Sequence, residues 1–236
     1  MRGFGVYFEL HVTCRGEPDP ETGYFINITE IDRAVREAVL PRIHEVMRRD
    51  PSSEPAALLP ELIAVLQPHL RHAVHAVSWQ LTPYHSITMT VDDPAHVLLR
   101  QQFEFAAAHR LHCPDRSEEE NRAIFGKCNN PNGHGHNYRI ETAVRVPIAA
   151  EGRPMFDVLE LERIVDRVII TRFDHTNLDM DTSEFAGMNS SVEHIVRVCY
   201  DLLAPAFAEA GVELETVTVW ETGKTSCSYP VRSAAR

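Results

Sequence analysis

The sequence has no long hydrophobic run and few cysteines. No apolar segment approaches the roughly 20 residues that a helix needs to span a bilayer. The first residues also lack the apolar core of a signal peptide, so we expect a cytoplasmic protein with no membrane partner. The five cysteines are odd in number and unevenly spaced, which favours reduced thiols over a disulfide framework.

Basic residues are also scarce relative to acidic ones. The 236 residues include 34 Asp and Glu but 23 Lys and Arg, which gives a formal net charge of -11. Non-specific binding to nucleic acid needs clustered Lys and Arg, so this charge argues against a nucleic-acid partner. Hydrophobic residues make up 44% of the chain, as in an ordinary soluble globular protein with one large core or two small ones.

Residues 126–138 hold the densest group of chemically active side chains. Cys128 is followed by an Asn-Asn-Pro-Asn-Gly turn and then by His134 and His136. If the segment after the turn is a strand, residues two apart point to one face, so the two imidazoles can share one metal ion. A catalytic zinc ion usually takes three protein ligands and keeps a fourth position for water or substrate.

A third zinc ligand is expected from a neighbouring strand. Residues 103–111 are predicted to form a strand that ends in small residues and His109, opposite the His-Gly-His pair. We therefore predict zinc on His109, His134 and His136. Cys128 is the competing ligand because thiolate binds zinc strongly, but its loop can hold it off the metal as an acid or base. For the histidine pair alone, a surface strand with two polar residues is the simpler interpretation.

The first half of the chain is predicted to contain strand, helix, helix, strand and strand, in that order. Strands are indicated where β-branched and aromatic residues concentrate, and helices where apolar residues recur at spacings of three and four. The predicted elements are a strand at 6–15, a helix from about 30 until Pro41 interrupts or kinks it, a helix at 61–70, and strands at 73–81 and 86–91.

The second half repeats this order. Its predicted elements are strands at 97–107, 134–146, 217–221 and 226–231, a capped helical turn that starts at 115–121, and helices at 158–171 and 191–210. Several identities also recur when the chain is aligned with itself. We therefore predict an internal duplication of one α+β unit, with one copy at 1–95 and the other at 96–236. Chance likeness of two α+β segments is the alternative.

Six short motifs lie in order over residues 98–232. They are the strand that ends at His109, Glu-Glu-Asn at 119–121, Cys128 followed after five residues by His-Gly-His, Phe-Asp-His-Thr-Asn-Leu-Asp at 173–179, Ser-Ser-Val-Glu at 190–193 and Trp-Glu-Thr at 220–222. Together they resemble the 6-pyruvoyl-tetrahydropterin and 6-carboxytetrahydropterin synthase family. The resemblance implies an α+β tunnelling fold, an antiparallel sheet with two helices on one face, here in two tandem copies of which the first is degenerate. It also implies a homo-oligomer with sites at subunit or repeat interfaces.

The resemblance assigns a proton-transfer group to Cys128, Asp174 and His175, contributed across a subunit interface. An aspartate beside a histidine can hold the imidazole in one tautomer and stabilise its protonated form. Without the resemblance, an Asp-His pair in a loop indicates only a turn with a capping aspartate.

The resemblance also implies a pterin site. The carboxylate of Glu221 would accept the ring N–H and the amino group of a pterin as a fork, or else it faces water or Lys224. Ser190, Ser191 and Glu193 would contact the pterin edge, although helix capping also explains them.

The activity that the resemblance implies is that of a zinc-dependent lyase acting on the small molecule 7,8-dihydroneopterin triphosphate. Zinc would bind the side-chain hydroxyls, acidify neighbouring C–H and O–H groups and assist loss of triphosphate. Cations beside the motifs are the candidates to bind the triphosphate: Arg110, Lys127 and Lys224. The product would be 6-pyruvoyl-tetrahydropterin, on the tetrahydrobiopterin route, or 6-carboxytetrahydropterin, on the queuosine route. The five-residue gap between Cys128 and His134 is similar to that of the pyruvoyl-forming group.

Two other functions remain open. A non-catalytic zinc or pterin-binding module would need no cysteine, and a zinc hydrolase would use a zinc-bound water instead. In the first copy, Phe4 and Val6 align with the two histidines of the His-Gly-His pair, and Gln80 aligns with Glu221. We therefore expect the first copy to be a scaffold and the second to carry one zinc and one pterin per chain.

Overall fold

The structure of the protein is a computed structural model that describes residues 8–150 and 152–231. Phe4 and Val6, which align with the histidine pair, lie outside the described residues. None of the described helices has the length and apolar character of a membrane span.

Two compact units make up the chain. The first comprises residues up to 99 together with 145–156, and the second comprises 100–144 together with the residues from 157 onward. Two long strands, β4 and β5, supply residues to both units. The first unit contains, in order, β1 (Glu9–Cys14), α1 (Ile28–Ala34), α2 (Leu40–Arg49), α3 (Pro55–His69), β2 (Val74–Thr82), β3 (His85–Thr90) and the start of β4 (Asp93–His109).

Antiparallel pairing organises the strands of the first unit. β1 pairs with β2, and β2 pairs with β3, so that Val77 lies opposite both Val12 and Met89. Leu59, Leu62 and Leu66 of α3 are each 0% exposed, and α3 packs against β2 and β3. Burying each of these side chains stabilises the unit by roughly 2 kcal/mol.

Pro41 does not end the helix in which it lies. Helical residues continue from α1 through a π-helical turn at Val35–Val39 into α2, which runs to Arg49. Pro41 is the second residue of α2, which directly follows the π-helical turn, and this local change of hydrogen-bond pattern accommodates a residue without a backbone N–H. Of the two predicted effects of this proline, the interruption is therefore wrong, and a π-helical turn lies just before it instead.

The second unit carries the predicted strand and helix pattern. After the end of β4 it contains α4 (Glu118–Phe125), a 3-10 turn (Gly126–Asn129), β5 (His134–Pro147), α5 (Val158–Val165), α6 (Thr171–Phe173), β6 (Thr176–Asn177), α7 (Leu178–Asp181), α8 (Val192–Glu209), β7 (Glu213–Thr222) and β8 (Thr225–Tyr229). Its strands are ordered β4, β5, β7 and β8, and the short β6 pairs in parallel with β4. Helix α8 packs on β7 and β8 and also contacts α5. The α+β class is confirmed.

The two units follow the same order of elements. β1, α1 with α2, α3, β2 and β3 correspond to β5, α5 with α6, α8, β7 and β8. Each unit also has a π-helical turn after its first helix, at Val35–Val39 and at Asp166–Ile170. This recurrence supports the predicted duplication, and the boundary between residues 95 and 96 stays a prediction.

Asn121 holds the segment that precedes α4. The helix begins at Ser117, whose side chain forms the predicted capping box with Glu120. Asn121 is 0% exposed; its amide oxygen accepts from the backbone N–H of Cys113, and its amide nitrogen donates to the backbone oxygens of Cys113 and Arg116. These bonds fix the chain between the end of β4 and the turn that carries Cys128.

We expect Asn121→Ala to lower the free energy of unfolding by about 2–4 kcal/mol, because it leaves buried backbone groups without partners. Urea denaturation followed by circular dichroism measures this change. Asn132→Ala, at an exposed position of the next turn, is the control and should change stability by less than about 0.5 kcal/mol. An Asn121→Ala protein as stable as this control would contradict the role of the amide.

Candidate metal centre

The end of β4 and the start of β5 bring three histidines together. His109 is the last residue of β4, and His134 and His136 are the first and third residues of β5. One nitrogen of each ring lies within 4.8 Å of the others, and this is the one such cluster of potential metal ligands found in the described chain. His109 is fully buried, while the other two are partly buried. The three predicted ligands therefore meet at one point.

Gly133 permits the close approach of the two strands. Its φ of +71° lies in the left-handed region, and a Cβ atom there would lie 3.1 Å from the backbone oxygen of His109. Gly135, between the two histidines of β5, is different: a Cβ there would meet the backbone oxygen of Ala107 at an ordinary 3.6 Å. The turn before the histidine pair is thus the position that requires glycine.

Hydrogen bonding orients the ring of His109 for a metal. Its Nδ1 lies 2.7 Å from the backbone oxygen of Ser190, which can only accept, so Nδ1 carries the proton and Nε2 has a free lone pair. This Nε2 lies 3.1 Å from Nε2 of His134. Two nitrogens on one tetrahedral zinc ion, each at about 2.0–2.1 Å, lie roughly 3.3 Å apart. Nε2 of His136 is buried with no hydrogen-bond partner in the part of the chain described. The donor set therefore fits zinc.

Burial favours the neutral form of two of the three imidazoles. Desolvation lowers the pKa of His134 and also that of His136, and the neighbouring imidazoles add to this effect. The carboxylate of Glu221 opposes it, because its Oε1 lies 3.5 Å from Nε2 of His109 and 3.7 Å from Nε2 of His136. Neutral imidazole is the form that binds a metal, so the lowered pKa values of His134 and His136 favour metal binding.

Cys128 lies on a turn that is attached to the end of β4. The backbone N–H of Leu111 donates to the backbone oxygen of Cys128 at 3.0 Å, and the buried amide of Asn129 donates to the backbone oxygen of Leu111 at 2.7 Å. The thiol does not belong to the cluster of ligand atoms. It is close enough to act electrostatically on Tyr138, whose pKa is raised chiefly by burial and further by Glu221, Asp179 and Cys128.

Asp174 and His175 form a hydrogen-bonded pair beside β4. Nδ1 of His175 lies 2.8 Å from Oδ2 of Asp174, whose Oδ1 accepts from the backbone N–H of Ala106 at 2.7 Å. His175 has a φ of 60°, and its side chain is 84% exposed. Together with His136 it lines an open groove. No hydrogen bond among the described residues joins the pair to Cys128 or to the three histidines.

The predicted pterin contacts differ in accessibility. Ser190 is fully buried, whereas Glu193 is exposed. Ser191 occupies the N-cap position of α8, but its side chain makes no capping bond. Its hydroxyl instead donates to Glu193 and holds the pKa of that carboxyl below its usual range. Glu221 lies beside the three histidines. The four residues predicted to contact the pterin therefore differ in their position and in their exposure to solvent.

The predicted triphosphate cations also differ. Arg110 contacts the backbone oxygen of Asn129 and pairs with Glu118 at 3.7 Å. Lys127 lines a groove together with Arg122, a cation that was not predicted from the sequence. Neither side chain forms an ion pair with a described residue. The spacing of Arg122 on α4 gave no indication of this, because the groove depends on how the following turn folds. Lys224 lies exposed in the turn between β7 and β8.

Two comparisons by sequence agree on the second half of the chain. The family described as 6-pyruvoyl tetrahydropterin synthase matches residues 98–231. A 6-pyruvoyl tetrahydrobiopterin synthase of Drosophila melanogaster is 39% identical over 136 residues, which cover 58% of this chain and 80% of that protein. The protein of the same name from Homo sapiens is 37% identical over 129 residues, covering 55% of this chain and 88% of the human protein.

A solved structure agrees with the sequence matches. The 6-pyruvoyl tetrahydropterin synthase of Caenorhabditis elegans is similar with a TM-score of 0.53 and 34% identity, over 57% of this chain and 94% of that protein. The tunnelling fold and the resemblance predicted from the motifs are thereby confirmed for this part of the chain. The family match does not include the residues before 98.

Gly133→Ala should disturb the centre, whereas Gly135→Ala should not. The first change forces an L-residue into the left-handed region against the backbone of His109, and we expect it to destabilise the zinc-free protein by about 1–3 kcal/mol and to weaken zinc binding. Chemical denaturation and competition with a chromophoric chelator measure the two effects. Equal zinc affinity and equal stability of the two variants would contradict this account of the turn.

Proposed function

The chain belongs to the 6-pyruvoyl tetrahydropterin synthase family, and we propose that it is a zinc-dependent lyase that converts 7,8-dihydroneopterin triphosphate into 6-pyruvoyl-tetrahydropterin. One observation carries this proposal: three imidazole nitrogens share one point of the fold, and Cys128 lies on a turn bonded to the same strand end. A metal site without a nearby proton carrier would support a binding module equally well.

His109, His134 and His136 are the residues that would hold zinc. The bound ion would supply Lewis-acid polarisation of the oxygen atoms on the substrate side chain. The protein contributes the geometry: Ser190 fixes the tautomer of His109, and Gly133 allows the two strand ends to approach. In the first copy we propose no second centre, and Gln80 there bonds instead to the backbone oxygens of Thr82 and His85.

Proton transfer is assigned to Cys128, Asp174 and His175. Asp174 accepts from Nδ1 of His175, so it holds the tautomer whose Nε2 is free to take a proton. Because His175 is exposed and no hydrogen bond among the described residues joins the pair to Cys128, we propose that His175 serves the site of another subunit. This requires a homo-oligomer, in which the open groove beside His175 faces a neighbour.

The substrate would be held by carboxylates at opposite ends of the pterin and its side chain. The sequence predicted that Glu221 accepts the ring N–H and amino groups, but its Oε1 lies 3.5 Å from Nε2 of His109, at the candidate metal centre. We therefore propose that this role falls to the exposed Glu193, whose pKa is lowered by the hydrogen bond from Ser191. Glu221 would accept from groups beside the histidines. We also retain Ser190 and Ser191 as substrate-binding residues. Ser190 is buried, so it would contribute through its backbone. The triphosphate would contact Arg110 and Lys127, the two candidate cations near the turn that carries Cys128.

The pyruvoyl product is preferred over the carboxy product of the queuosine route. The relatives from Drosophila melanogaster and Homo sapiens are named as 6-pyruvoyl tetrahydrobiopterin synthases. The five residues between Cys128 and His134 agree with this choice.

The proposal is tested by incubating the zinc-loaded protein with dihydroneopterin triphosphate and identifying the pterin products by mass. We expect release of tripolyphosphate and formation of the pyruvoyl product. Cys128→Ala should lower turnover by at least about 100-fold, the usual contribution of a positioned proton carrier, while its zinc content stays near that of the wild type. Cys113→Ala, which removes another partly buried thiol, is the matched control.

Other outcomes of this experiment select among the alternatives. Zinc binding without tripolyphosphate release would reject the lyase and leave the binding module. Turnover that survives Cys128→Ala, together with ester hydrolysis, would indicate a zinc hydrolase. A carboxy product would move the protein to the queuosine route.

A further inference from the structure

Asp179 lies in the motif at 173–179, and its side chain has no role in the proposed reaction. It belongs to the short helix α7, directly after β6, and it is partly buried. Its Oδ2 accepts from the backbone N–H of Arg110, the residue that follows His109. Its Oδ1 accepts from the hydroxyl of Ser190. One carboxylate thus bonds to both segments that carry the His109–Ser190 contact.

These two bonds converge on one metal ligand. Ser190 accepts from Nδ1 of His109 through its backbone oxygen while its hydroxyl donates to Asp179. Arg110 ties the backbone of the same strand end to the other oxygen of Asp179. The ring of His109 and the backbone that carries it are therefore held from one side chain. Loss of that side chain would free Ser190 to move away from the imidazole.

The consequence for a metal follows from histidine chemistry. If Nδ1 loses its acceptor, the ring can take the tautomer with the proton on Nε2, which cannot bind a metal through that atom. Partners that orient a ligating histidine in this way typically change metal affinity by about 10–100-fold when they are removed.

We propose that Asp179 is a positioning residue that sets the zinc affinity of the three-histidine centre by holding Ser190 against His109. This inference rests on the proposed metal centre. Asp179 is not among the potential metal ligands of the cluster, and its carboxylate accepts hydrogen bonds from Arg110 and Ser190. Replacing Asp179 should therefore change the zinc affinity more than it changes the rate of the chemical step.

Asp181 provides a matched control on the same helix. It is exposed, and its Oδ2 accepts from the backbone N–H of Asn177, away from the His109–Ser190 contact. Asp179→Asn and Asp181→Asn remove the same charge and keep the same shape. Only the first faces two donors with a single amide oxygen, so its contact with Ser190 loses the charged acceptor and the strength of a charge-assisted hydrogen bond.

The first measurement is zinc affinity of the full-length protein, determined by competition with a chromophoric chelator. We expect Asp179→Asn to bind zinc about 10–100-fold more weakly than the wild type, and Asp181→Asn to stay within about twofold. Ser190→Ala keeps the backbone acceptor but removes the hydroxyl, so it should weaken binding less. In a double variant with Asp179→Asn, the additional loss of zinc affinity should be small, because both changes affect the same hydrogen bond between Asp179 and Ser190.

The second measurement reads the tautomer of His109 in the zinc-free protein from the ¹⁵N chemical shifts of its ring. The wild type and Asp181→Asn should show the proton on Nδ1, and Asp179→Asn should show a mixture of tautomers. This readout is independent of turnover and of bound metal. If Asp179→Asn fails to fold, the same signal in Ser190→Ala decides the question, with a mixed population expected.

Two results would overturn the inference: Asp179→Asn that binds zinc within about twofold of the wild type, or an unchanged Nδ1–H tautomer in a folded variant. A wild-type protein that binds no zinc is a different failure, because it rejects the metal assignment of the proposed function. The tautomer measurement still tests the link from Asp179 to His109 in that case.

Discussion

The hydrogen bond from Nδ1 of His109 to the backbone oxygen of Ser190 is the contact on which the candidate centre depends. It joins the last residue of β4 to the segment that opens α8, and it leaves Nε2 as the nitrogen that faces the other two imidazoles. Because His109 is fully buried, it cannot exchange this bond for one to water. The ring is therefore oriented before any metal arrives.

Electrostatics and packing act together at this point of the fold. Burial disfavours charged imidazole at His134 and His136, whereas the nearby carboxylate of Glu221 favours it. A cation in the centre would be attracted to the same carboxylate and would give the buried nitrogens a partner. The buried Nε2 of His136, which has no hydrogen-bond partner among the described residues, would gain one from such a cation.

Local signals allowed most of the centre to be predicted, and long-range contacts explain what was missed. The His-Gly-His alternation reports a strand with period two, and a strand that ends in His109 needs only to pair with it. No role for Asp179 was predicted from the sequence, although it lies in one of the motifs, because its partners Arg110 and Ser190 are 69 and 11 positions away in the chain. Pro41 was mispredicted for a local reason: a π-helical turn just before it, which hydrophobic periodicity does not reveal, lets the helix continue.

The identity of the ligands is the central claim, and X-ray absorption at the zinc edge of the zinc-loaded wild-type protein tests it most directly. We predict a first shell of nitrogen and oxygen at about 2.0–2.1 Å, with the multiple scattering of three imidazoles and no sulfur. A zinc–sulfur distance of about 2.3 Å would contradict the account, because it would make Cys128 a metal ligand instead of a proton carrier.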